Sequence, residues 1–143
     1  MERCTMSGTR EKERLKVILD SNAFFVPLKF KLDIFSAVEQ LINRKVDLVL
    51  LSAVKQELEV LSSKDSPKTR REATFALKLA EKCKFIPIDY GNLSTDDVIV
   101  KVAEAWNSPV FTNDRQLRRR LRDISVPVIY VRQKSRLDID GLI

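Results

Sequence analysis

The residues best suited to chemistry in this 143-residue chain are carboxylates: Asp20 in LDSN, Glu57 in QELEVL, the adjacent Asp96 and Asp97 in TDDVIV, and Asp114 in TNDRQLRRRL. The chain has no histidine, so it builds no Ser-His-Asp triad, no Cys-His pair, no imidazole base and no histidine zinc site. Three glycines, Gly8, Gly91 and Gly141, form neither GxGxxG nor GxxxxGK[ST], which removes the usual nucleotide-cofactor enzymes. Carboxylates that converge without basic partners repel one another and raise their own pKa values. Divalent cations relieve that repulsion, and an all-oxygen ligand set favours Mg²⁺ or Mn²⁺ over zinc. One or two such ions activate water and stabilise a leaving oxygen in phosphodiester cleavage.

Each acid also has a structural use. Asp20 is placed to form a turn with Asn22, and Asp97 to pair with Ser94 as a helix cap. Asp114 is an N-cap candidate for the segment that follows it. Asp96 shares a helical stripe with Ile99, Ala103 and Trp106, and Glu57 falls in the apolar stripe Val54, Leu58, Leu61, where a carboxylate needs a partner. What unites the five is position, each lying at or just beyond the end of an expected strand.

Those strands follow from the apolar pattern. LKVILD reads as a buried strand ending at Asp20, VDLVLLS as a second from Val46 to Leu51, FIPID as a third, Pro109–Thr112 as a short fourth and PVIYV as a fifth. Helices are expected after Asp33, from Ser52 as cap, from Ser66-Pro67 to about Cys83, from Ser94, and from Asn113-Asp114. Alternating strands and helices predict an α/β fold, a three-layer α/β/α domain around a central, mostly parallel five-stranded sheet. Residues 1–14 read as a flexible N-terminal tail and residues 15–143 as one domain. In such sheets ligands collect beyond the carboxyl ends of the strands, where these acids lie.

Net charge is +6, and residues 111–143 alone hold 8 Lys/Arg against 4 Asp/Glu. Arg115, Arg118, Arg119 and Arg122 share one helical face and Leu117 and Leu121 the opposite one, so a basic surface adjoins Asp114. A solvated helix face explains this as well as a phosphate-binding one; beside an acidic pocket it suits a phosphodiester backbone, with Arg132, Lys134 and Arg136 extending the track. Phe24, Phe25, Phe30 and Trp106 are expected to pack. Cys4 and Cys83 form no metal or disulfide framework. No apolar run is long enough to span a bilayer and the first residues do not resemble a signal peptide, so a cytoplasmic location without membrane contact is expected.

In their order, LDSN, QELEVL, TDDVIV, TNDRQLRRRL and VPVIYV resemble a PIN domain over about Leu15 to Arg136. The TNDRQLRRRL…VPVIYVRQ stretch and the doubled acid are most similar to the branch containing the small-subunit rRNA-processing endonuclease, with a weaker resemblance to VapC toxins. The resemblance implies a metal-dependent endoribonuclease using Mg²⁺ or Mn²⁺, with the catalytic acids at Asp20, Glu57, Asp96 and Asp114 and the metal residues at Asp20, Asp96, Asp97 and Asp114, Asp96 being the preferred third ligand and Asp97 a ligand or a helix cap. Ser21 stands where the family usually has threonine, and keeps the hydroxyl. RNA, such as an rRNA precursor or pre-ribosome, is the implied partner, and PIN relatives often form homodimers. Two rivals stay open: a catalytically silent RNA-binding assembly module, and a VapC-like toxin ribonuclease, which implies an antitoxin.

Overall fold

A computed structural model describes residues 14–143. Six strands form one sheet in the order β3-β2-β1-β4-β5-β6: β1 Leu15–Leu19, β2 Val46–Leu51, β3 Lys84–Ile86, β4 Val110–Phe111, β5 Val128–Arg132 and β6 Arg136–Asp140. The first five are parallel, with Ile18 opposite Val49 on one side and Val110 on the other. Strand β6 returns antiparallel to β5, pairing Val128 with Asp140 and Arg132 with Arg136. The expectation of five strands is therefore corrected to six. β6 is half polar and lies at the sheet's edge, so its short Leu137/Ile139 alternation gives a weak signal beside the parallel strands.

Consecutive residues of β1, Val17, Ile18 and Leu19, are all fully buried. Successive strand side chains point to opposite faces, so both faces of the sheet are covered, as the three-layer fold requires. The helices are α1 Val26–Phe30, α2 Ile34–Ile42, α3 Ser52–Ser62, α4 Pro67–Ala80, α5 Thr95–Trp106 and α6 Arg115–Asp123, and a 3-10 turn, Ser21–Phe25, leads into α1. That turn and α1 were not expected. Pro27 at the start of α1 supplies a fixed φ for a helix too short to show periodicity.

The caps explain most helix boundaries. The Asp33 carboxylate accepts hydrogen bonds from the Phe35 and Ser36 amides, Ser66 from Thr69 and Ser94 from Asp97. Asn43 and Asn107 end α2 and α5 in the left-handed conformation that asparagine tolerates. Ser52 departs from its expected role as a cap. It is the first residue inside α3, and its hydroxyl exchanges two hydrogen bonds with the Ile88 backbone, at 2.9 and 3.0 Å. Helix α4 stops at Ala80, three residues before Cys83, whose thiol is pushed up to about 12 by burial and is therefore protonated and inert.

The expectation for residues 1–13, Cys4 included, lies outside the described residues. Arg14, the last residue of the expected tail, is anchored: its Nε donates to Asp47 Oδ1 at 2.9 Å and its Nη2 to the Val46 carbonyl. No helix among the described residues is long and apolar enough to cross a membrane.

Candidate active site

The strand order reverses beside β1, which has β2 on one flank and β4 on the other. At this switch point the loops leaving β1 and β4 diverge and open a crevice at the carboxyl end of the sheet. Asp20 leaves β1 and Asp114 follows β4 by three residues.

Asp20 is only 4% exposed. Its amide donates to the Phe111 carbonyl at 3.0 Å, which ties the residue across to β4. Three donors then converge on its carboxylate: the Ser21 amide on Oδ1 at 2.8 Å, and the Thr112 hydroxyl and Asn22 Nδ2 on Oδ2 at 2.7 and 3.1 Å. Burial nevertheless raises the Asp20 pKa above the ordinary carboxylate value. The Thr112 and Ser21 bonds pull it down, while the charges of Glu57 and Asp114 push it up further.

Thr112, fully buried, connects the two acidic loops. Its hydroxyl donates to Asp20 and accepts from the Asp114 amide at 3.1 Å. Asn113 extends the lattice, its amide donating to Asn22 Oδ1 at 3.0 Å and its own Oδ1 accepting from the Val131 amide at 2.9 Å. The sequence shows Asn22 as a turn former, Thr112 as a strand end and Asn113 as a helix start, but not this lattice, because it joins residues about ninety positions apart.

Asp114 caps α6, with Oδ1 accepting from the Gln116 and Leu117 amides at 2.8 and 3.3 Å. The cap engages this one oxygen, and the charge of Asp114 acts on both Asp20 and Asp96. Asp96, half-buried in the first turn of α5, has its pKa raised by burial first, then by the charges of Asp20 and Asp114, against an opposing pull from Arg120. Asp20, Asp96 and Asp114 thus feel one another's charge, and none of them makes an ion pair among the described residues.

The other two acids stand apart. Asp97 turns outward to Arg120 Nη2 at 2.7 Å, and this bond, with that to Ser94, holds its carboxyl below the usual range. Glu57 is exposed, contrary to the apolar-stripe expectation: Val54 and Leu58 define the buried line of α3, and Glu57 falls on its rim. It lines a cleft with Ser21, Gln56, Lys64 and Thr95, close enough for its charge to act on Asp20.

The arginine face divides. Arg118 and Arg122 share Asp140, at 3.0 and 3.2 Å, and the Arg118 guanidinium stacks 3.8 Å from the Tyr130 ring centre. Gly141 permits this arrangement, since a Cβ there would lie 2.6 Å from Arg122 Nη1. Arg115 and Arg119 are exposed. Arg120, not counted in the basic face, is the residue that meets Asp97.

Among the described residues no three acids already stand close enough to enclose an ion by themselves. The donor set still fits a hard, hydrated cation. Mg²⁺ keeps several waters and needs only one or two carboxylates, and Asp20 Oδ1, which accepts a single hydrogen bond where Oδ2 accepts two, retains lone-pair capacity. The pKa values of Asp20 and Asp96 are raised first by burial and then by neighbouring carboxylates, and a bound cation offsets both costs of keeping them charged.

Residues 17–134 match the family described as PIN like domain. The chain belongs to that family. Among curated PIN-like relatives, Ribonuclease VapC4 of Methanocaldococcus jannaschii is 32% identical over 129 residues, covering 90% of this chain and 98% of the relative. Ribonuclease VapC9 of Archaeoglobus fulgidus is 26% identical, with 94% and 96% covered. The structure of the PIN domain endonuclease Utp24 aligns with a TM-score of 0.76 and 26% identity over 90% of this chain and 92% of that one. The VapBC2 structure from Rickettsia felis shares the PIN-like fold, with a TM-score of 0.59 at 16% identity over 82% of this chain.

Proposed function

We propose that this chain is a divalent-metal-dependent endoribonuclease that hydrolyses RNA phosphodiester bonds. The carrying observation is that Asp20, Asp96 and Asp114, none of them in an ion pair among the described residues, lie within reach of one another's charge beyond the carboxyl ends of the strands. Structural acids of a stable fold are ordinarily paired or solvated, whereas burial, and then neighbouring negative charge, raise the pKa values of Asp20 and Asp96. The similarity to chains named ribonuclease and PIN domain endonuclease supports the same reading.

Asp20, Asp96 and Asp114 would hold Mg²⁺ or Mn²⁺, as one or two ions, directly or through water. When bound, the metal supplies Lewis-acid activation of water and charge stabilisation of the departing 3′-oxygen. The protein does the remaining work. Thr112, Asn22 and the Ser21 amide fix the Asp20 carboxylate, so its position needs no rearrangement when substrate arrives. Glu57, exposed at the mouth of the adjoining cleft, orients water. Arg115 and Arg119 draw in the phosphodiester backbone, with Arg118 and Arg122 held in place by Asp140. The products carry 3′-hydroxyl and 5′-phosphate ends.

The biological setting we favour is rRNA processing or another RNA maturation step in the cytoplasm, with an rRNA precursor or pre-ribosome as partner. A toxin role is supported by the VapC names of the two relatives, and it predicts a tight small antitoxin that co-purifies and growth arrest on expression. A homodimer is compatible with either.

The test is incubation of the purified protein with a single-stranded and a structured RNA, with Mn²⁺ or Mg²⁺ or with chelator, beside Asp114→Asn. The variant keeps a side-chain oxygen for the α6 cap, so its fold is retained. Discrete cleavage that requires both metal and Asp114 is expected; binding without cleavage on every substrate would transfer the assignment to a silent RNA-binding module. Asp96→Asn should behave like Asp114→Asn. Asp97→Asn, which breaks an exposed ion pair, is expected to keep its rate within about fivefold. An equal loss at Asp97 and Asp96 would place both in the metal site.

A further inference from the structure

We propose that the groove between α1 and the β5–β6 hairpin is the track along which a single RNA strand reaches the acids, a reading that rests on the nuclease assignment and gives its substrate a path. The groove has a volume of about 560 Å³. Such a space takes one or two unpaired nucleotides and falls far short of a duplex. At its inner end lie Asn22 and Thr112, the two side chains that donate to Asp20 Oδ2. A strand seated there therefore brings its phosphodiester to the buried carboxylate.

Charge gives the groove its selectivity. Lys29, Arg115, Arg118, Arg132 and Lys134 line it, and among the described residues no acidic one does. Arg118 and Arg132 are neutralised by Asp140 and Asp138, but Lys29, Arg115 and Lys134 make no ion pair among the described residues. Three exposed, unpaired cations in one concave surface suit a chain of phosphates. Phe30 adds aromatic surface against which a base can stack, beside the Arg118–Tyr130 stack.

The hairpin supplies an independent observation. Gln133 and Lys134 are successive left-handed residues, with φ of 55° and 60°. They belong to a three-residue loop, Gln133–Ser135, between the paired Arg132 and Arg136, and a long side chain in the left-handed region is unfavourable. The loop thus holds a lysine at the groove's rim in a conformation that is costly for it, as Lys31 is held at the end of α1. Neither Lys29 nor the hairpin tip belongs to the basic face of α6.

Fluorescence anisotropy with a labelled single-stranded 12-mer RNA, in chelator so that nothing is cut, tests the track. Lys29→Glu/Lys134→Glu is compared with the charge-matched Lys68→Glu/Lys82→Glu, whose sites are exposed and lie outside the groove. The groove pair is expected to bind at least about tenfold more weakly than wild type, with a salt dependence shallower by about 1.4 log units per log unit for two lost phosphate contacts. The control pair should stay within about twofold, and a duplex of equal length should compete poorly. Lys29→Gln/Lys134→Gln should show a smaller loss of the same sign with an unchanged melting temperature.

Equal loss in both charge-reversed pairs, no loss in the groove pair, or equal competition by duplex RNA would overturn the track. So would an acidic peptide that competes as well as RNA, which would make the groove a protein site. If wild type cuts RNA with Mn²⁺ while the groove variants bind and cut normally, the track falls and the nuclease stands. If the groove variants lose binding but wild type cuts nothing, the nuclease reading falls and the groove remains a strand-binding site.

Discussion

Asp20→Asn is expected to lower RNA cleavage by roughly 10³-fold or more and to abolish most of the thermal stabilisation that Mg²⁺ or Mn²⁺ gives the wild-type protein. A ligand that binds only the folded state at 100 times its Kd adds about 2.7 kcal/mol. For a chain of this size that raises the melting temperature by roughly 10 °C. In the variant, three donors still converge on the side chain, but an amide presents one acceptor oxygen where the carboxylate presents two. It also carries no charge for a cation to neutralise.

The wild-type pH profile gives the same residue a second test. Asp20 and Asp96 have folded pKa values raised above the unfolded ones. Their contribution to stability is fully present below the unfolded value and is lost as pH rises through the folded value. In chelator, wild type should therefore gain stability as pH falls from 7 toward the upper end of the carboxylate range. Asp97 and Asp138, whose pKa values are lowered by Arg120 and Arg132, act oppositely: their stabilisation is present above the unfolded value and lost as pH falls through the folded one. The gain should thus reverse at lower pH. Melting curves between pH 7 and 3 in chelator decide this. A wild-type profile without the initial rise, or an Asp20→Asn protein that keeps the full metal shift, would remove Asp20 from the metal site.

Thr112→Val should damage the same site without touching a carboxylate. The substitution keeps the shape but strips a fully buried hydroxyl from between Asp20 Oδ2 and the Asp114 amide. Leaving a buried polar group unpaired costs about 1–3 kcal/mol, so the melting temperature should fall by roughly 5–10 °C. Because the Thr112 bond lowers the Asp20 pKa, its loss raises that pKa further. The acid limb of the pH–rate profile should then move to higher pH, and the rate at neutral pH should drop by roughly tenfold. Thr112→Ser retains the hydroxyl and should restore both. An unshifted acid limb in Thr112→Val would make Thr112 a packing residue only.

The sequence exposed the parts of this site that depend on local pattern. Asp20 and Asp114 were legible because each follows an apolar run at a strand's carboxyl end, and Asp96 because Ile99 and Ala103 continue its stripe into the core. Long-range partners were not legible. That Asp140 takes up Arg118 and Arg122, and that Arg120 rather than the outlying basic face meets Asp97, depends on where β6 and α5 come to lie. Glu57 was misplaced by a stripe whose centre is set by Val54 and Leu58 packing, which periodicity locates to no better than one helical position. Ser52 failed as a cap for a related reason, since its hydroxyl found the Ile88 backbone, 36 residues away, instead of its own helix.

The two margins of the sheet bear on self-association. β3 is only three residues long, Lys84-Phe85-Ile86, and Lys55 Nζ sits 5.0 Å from the centre of the Phe85 ring. On the opposite margin β6 alternates Arg136, Asp138 and Asp140 with Leu137 and Ile139, and its two acids are engaged with arginines. Short margins guarded by charge disfavour edge-to-edge pairing, the route by which open sheets polymerise into aggregates. Neither the three-residue β3 nor the charge-bearing β6 therefore offers a second copy of this chain a ready strand to extend.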